Sequence, residues 1–90
     1  MHRQMILRLI ERCEAARREG VTRDEMLNRV LPEEVERLMK DAAAQDFLDR
    51  VKDDREYSYY YYDAQQSGAC AKPPEVAAMI LESIALDALE

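Results

Sequence analysis

The first third of the chain repeats apolar residues at three- and four-residue steps. Ile6, Leu9, Ile10, Cys13 and Ala16 fall on one face of a helix that the spacing runs from about Arg3 to Glu19. Gly20 follows, a residue that adopts the left-handed conformation at little cost and so stops a helix. Thr22 and Glu25 make a T-x-x-E capping box, which starts a short second helix with Met26, Leu27 and Val30 inward and an end near Leu31. Pro32 suits the first turn of a third helix, where its missing N–H is not needed. Val35, Leu38, Met39 and Ala42 form the inner face of that helix.

Beyond Ala44 the period reads differently. Phe47 to Lys52 has strand character, Asp53 and Asp54 suit a turn, and Glu56 to Tyr62 (EYSYYYY) is the most strand-like stretch, because aromatic residues favour a half-buried sheet surface. An all-helical alternative, with 45–56 as helix, is the poorer fit to five tyrosines within six positions. The pattern therefore predicts a mostly α fold with a small two-stranded β-hairpin. Small and polar residues then read as a linker over 64–73, and Pro73 or Pro74 opens a last helix that reaches Glu90. The expected organisation is a domain over 1–63, the linker, and an interaction helix over 74–90.

Ninety residues allow one small domain. With 48% hydrophobic and 36% charged residues, the composition fits a folded globular chain rather than a disordered one. A net charge of −6 and a pI near 4.8 leave no bulk basic footprint for nucleic acid or an anionic membrane. One His, two Gly and no Trp leave little from which to build a catalytic constellation, so an enzyme is not expected. No cofactor or metal is expected either: the acidic pairs Glu33-Glu34 and Asp53-Asp54 read as a solvated face and a turn. His2 reads as an exposed residue near a frayed terminus. Cys13 reads as a small hydrophobe on the first helix, and Cys70 has no companion spaced to share a metal. The N-terminal apolar run is too short for a signal peptide and no run is long enough to span a bilayer, so a cytoplasmic protein without membrane contact is expected.

Three short helices followed by a hairpin is the order of the winged-helix variant of the helix-turn-helix. Gly20 to Asp63 resembles that family segment by segment: Gly-Val-Thr then Asp-Glu-Met-Leu at the second helix, Pro-Glu-Glu-Val-Glu-Arg-Leu-Met at the third, and Phe-Leu-Asp-Arg-Val with the Tyr run at the wing. The resemblance implies a third helix in the major groove of DNA and a wing on adjacent backbone. Carried onto this chain, it makes Arg37, Lys40, Arg50 and Lys52 the nucleic-acid contacts. The charge pattern pulls the other way. The outward face of the third helix would present Glu33, Glu34, Glu36 and Asp41 beside Arg37 and Lys40, and phosphate affinity comes from bases.

Two functions follow from this reading. One is a small DNA-binding transcription regulator, dimeric through its last helix. The other is an acidic protein-interaction module that occupies a partner protein and leaves DNA alone. The tyrosine run could stack single-stranded bases, but packing is the simpler use of rings bracketed by Glu56 and Asp63. The last helix carries Val76, Met79, Ile80, Leu81, Ile84, Leu86 and Leu89 around most of its circumference. So wide an apolar surface asks for cover on more than one side, which points to a homodimer or a partner protein.

Overall fold

Val76, Ala77, Ile80, Leu81, Ile84 and Ala85 of the last helix are all withdrawn from water, on two adjacent lines that make one wide face. The computed structural model that shows this describes residues 2–39, 41–66 and 72–90, with the backbone alone at 41 and 42. Among them are five helices. α1 is His2–Arg18; α2 covers residues 23–38; α3 is Asp41–Val51; α4 is Ser58–Gln66; α5 is Pro73–Leu89. Helices α1, α3 and α4 and the second half of α2 all pack on α5. The Cα radius of gyration is 12.6 Å, close to the about 12 Å of a packed chain of this length.

The start of the chain folds as its pattern dictates. Ile6, Leu9 and Cys13 are the buried stripe of α1. Gly20 ends it with φ +98°, while its N–H donates to Arg17 O and the Val21 N–H donates to Ala16 O, each at 3.1 Å. Those two bonds are the paired closure of a Schellman turn. Thr22 then caps α2, its hydroxyl accepting from the Glu25 N–H at 3.2 Å.

The helices expected on either side of Pro32 are one. Arg23–Glu25 passes into a π-helical turn, Met26–Val30, and on into Leu31–Leu38 without leaving helical φ and ψ. Proline lacks the N–H that an α-helix would use at this point, and its ring clashes with the carbonyl four residues back. The widened turn answers both, with the Leu31 N–H donating to Met26 O, five residues back. Met39 leaves helical geometry and ends α2.

There is no strand among the described residues, so the expected hairpin and wing are absent. Phe47 to Lys52 belongs to α3 and the turn after it. Ala44, Phe47, Leu48 and Val51 are buried at helical spacing, and Arg50–Asp46 and Gln45–Asp49 are bonded at i,i+4 on the outside. A strand would have put Phe47, Asp49 and Val51 on one face, burying a carboxylate. Most of the tyrosine run forms α4; Tyr57 just before it and Tyr60, Tyr61 and Ala64 on it are turned to the core, and Tyr59 and Tyr62 are turned out. The β preference of tyrosine is a preference for half-buried surfaces, and a short amphipathic helix supplies one. The winged-helix resemblance thus loses its wing, and residues 64–66 of the expected linker are the end of α4.

No helix among the described residues is long and apolar enough to cross a membrane. Leu81→Ala, at a fully enclosed position of α5, should lower the unfolding free energy in urea by about 2–5 kcal/mol. Ala88→Gln, exposed on the same helix, should change it by less than about 0.5 kcal/mol. Equal effects at the two sites would contradict this packing.

Candidate functional site

The residues expected to contact nucleic acid do not make a basic face. Arg37 lies 3.8 Å from Glu34. The Arg50 Nε is 3.0 Å from both oxygens of Asp46. Lys52 is exposed in the turn after α3, next to Asp53, and Lys40 lies outside the described residues. Glu34 also pairs with Arg12 at 3.4 Å, so the acids of α2 draw arginines from two helices.

Of the residues expected at an interface, Val76, Ile80, Leu81 and Ile84 are in the core of their own chain. Leu86 and Leu89 are partly buried against that core, and Met79 is 39% exposed. The cover that α5 requires comes from the other four helices.

A polar cluster with no local sequence signature sits where α1 meets the turn before α4. The Asp54 side chain is only 3% exposed. His2 Nε2 is 2.6 Å from its Oδ2, and Arg3 donates to both oxygens at 2.9 Å. The N–H groups of Glu56 and Tyr57 donate to Oδ1 at 2.9 and 3.3 Å, the arrangement of an N-cap. Burial works to raise this carboxyl, but the bonds from His2, the Glu56 N–H, Arg3 and the Tyr57 N–H outweigh it and hold the pKa at about 2. The Arg3 guanidinium also lies over the Tyr57 ring, 5.5 Å from its centroid. His2 is therefore anchored rather than frayed, and Asp54 is a buried acceptor rather than a solvated turn residue.

Two surface features remain. On α4, Tyr59 and Tyr62 stand three residues apart and are 68% and 55% exposed. Each meets a neighbouring ring edge-on, Tyr59 against Tyr60 at 5.4 Å and Tyr62 against Tyr61 at 5.2 Å. Tyr60 is itself fixed, its hydroxyl donating to Asp87 of α5 at 2.7 Å; that bond and then burial push its pKa up to about 12. The second feature is a groove of about 270 Å³ between the ends of α1 and α5 and the start of α2. Val21, Met26, Leu27, Leu86 and Leu89 line it, together with the polar Arg17, Thr22, Arg23 and Glu90.

Among the described residues no group of three or more His, Cys, Asp or Glu could hold a metal ion. Cys13 is buried, and burial first, then Glu34 and Glu14, raise its pKa and keep the thiol protonated. Cys70 lies outside the described residues.

The Asp54 cluster has a definite pH signature. A carboxyl whose folded pKa lies below its unfolded value stabilises the fold fully above the unfolded value, near 3.8, and ceases to as pH falls toward about 2. Asp54→Asn should therefore be destabilised relative to the parent at pH 6, with the difference shrinking between pH 4 and pH 2 in urea denaturation series. A difference that does not change with pH would contradict the cluster. No protein-family model, curated protein or solved structure matches this chain, and what can be said of its role rests on its own surface.

Proposed function

We propose that this chain is a non-enzymatic binding module that contacts another protein chain through the outer face of α4. The observation that carries the reading is the pair Tyr59 and Tyr62, exposed together on one side of the helix. Tyrosine joins a large apolar body to a polar tip and is enriched among the residues that dominate interface energies. A side chain that is already held gives up less freedom on binding. Both rings rest edge-on against Tyr60 and Tyr61, whose own positions are set by the core and by Asp87.

Duplex DNA finds less support. Arg37 and Arg50 are engaged by Glu34 and Asp46, and the net charge of −6 opposes approach to phosphate. Single-stranded nucleic acid finds no more, because stacking platforms work with a basic groove, whereas here Asp63 follows Tyr62 in the chain and Asp87 bonds the neighbouring Tyr60.

Replacing both Tyr59 and Tyr62 with Ser should change stability by less than about 0.5 kcal/mol at each site, as expected of side chains that serve contact rather than packing. A photoreactive benzoylphenylalanine at position 62, in cells that make the protein, should give a discrete crosslinked product that Tyr59→Ser diminishes. A product of twice the chain mass identifies a homodimer, and any other discrete mass identifies a different partner. Background labelling alone would overturn the proposal. So would a sharp, saturable mobility shift of duplex DNA at low salt that both Ser replacements leave intact.

A further inference from the structure

We propose that a second groove, between the latter half of α2 and the start of α5, docks a basic segment of a partner protein by taking in a lysine side chain. The groove measures about 250 Å³. Its floor is apolar, built by Pro32 and Val35 of α2, Met39 just beyond it, and Pro74 and Ala78 of α5. Its rim is acidic: Glu36 from α2, Glu75 and Glu82 from α5. Lysine matches both parts with one side chain. Its hydrocarbon stem covers apolar surface while its ammonium group stays at the edge, among polar partners.

The charge of the groove has one sign. No lysine or arginine lines it among the described residues, and α4 and α5 carry none at all. Arg12 and Arg37 are engaged by Glu34, and none of the three rim carboxylates is in an ion pair among the described residues. Lys72 stands before α5, exposed and outside the lining. The helix ends that meet here oppose each other: α2 closes at Met39 with its negative pole, and α5 opens at Pro73 with its positive one. The rim carboxylates therefore decide the sign, and the groove attracts a cation.

Glu82 supplies a separate observation. It is half-buried, and burial pushes its carboxyl up with no hydrogen bond or cation to oppose the shift. An incoming ammonium group brings the counter-charge that this carboxylate lacks. A bare metal ion is the poorer occupant, because no group of three or more ligands among the described residues is placed to hold one. None of the lining residues lies on α4, so the groove stands or falls separately from the tyrosine face.

The test is a titration of the ¹⁵N-labelled full chain with acetyl-tetralysine amide at low salt, followed by amide shifts. Saturable shifts should cluster at Val35, Glu36, Met39, Glu75, Ala78 and Glu82. Replacing Glu36 and Glu75 together with Gln should weaken binding about ten-fold, and Glu82→Gln should weaken it several-fold. Glu11→Gln with Glu14→Gln, the same charge change at exposed sites of α1, should alter it less than about two-fold. Magnesium chloride, which brings charge without a stem, should give no saturable shift at Val35 or Ala78. Spermine carries as many charges but interrupts its hydrocarbon with inner ammonium groups, and should bind several-fold more weakly. Glu36 and Glu75 are exposed, so their variant carries the test even if thermal denaturation shows that Glu82→Gln does not fold. Shifts that never saturate, or equal losses from the α1 and rim variants, would overturn the proposal. Spermine binding as tightly as the peptide would also overturn it and assign the groove to a small polyamine. Tyr59→Ser with Tyr62→Ser should leave the titration unchanged; a loss there would put the peptide on the tyrosine face and overturn the assignment to this groove.

Discussion

The fold is organised by the need to cover α5. Its buried residues form one wide face, with Val76, Ile80 and Ile84 on one line and Ala77, Leu81 and Ala85 on the next, while Glu75, Met79, Ser83 and Asp87 line the side that faces solvent. A face this wide needs more than one neighbour to cover it. Here α1, α3, α4 and the second half of α2 supply that cover, each giving apolar residues to it. Ala77 and Ala85 are fully buried, and side chains this small let neighbouring backbones come close.

The polar contacts tie the periphery of that packing. Asp54 joins the first turn of α1 to the start of α4, and Tyr60 joins α4 to Asp87 of α5. Arg17 bonds the Leu89 carbonyl, fixing the end of α5 to the end of α1. These bonds connect residues far apart in sequence, so each holds a pair of helices in register rather than stabilising one helix alone. The groove and the tyrosine face are by-products of this arrangement: one lies where three helix ends meet, the other on the side of α4 turned away from the core.

Much of the first half is legible in the sequence because its signals are local. The stripe of Ile6, Leu9 and Cys13, the stop at Gly20 and the cap at Thr22 each act within a few residues, and each is found in place. The hairpin expected over 47–62 fails for a physical reason. Tyrosine-rich segments fit any half-buried surface, while the spacing of Ala44, Phe47, Leu48 and Val51 is helical. With α3 and α4 helical, four helices of the same chain pack on the buried face of α5. The Asp54 cluster is hidden for a different reason: its partners His2 and Arg3 are about fifty residues away, and no local pattern marks them.

Native-state hydrogen exchange tests the central claim most directly. If the buried face of α5 is where the other helices meet, the amides of Ile80 to Ala85 exchange only when the whole molecule unfolds. Their free energies of opening then equal the global stability and fall with it in urea, while the amides of α4 open at lower cost. Opening of Ile80 to Ala85 at a free energy well below the global value, insensitive to urea, would contradict the account, because it would mean that α5 can leave the structure without the helices that surround it.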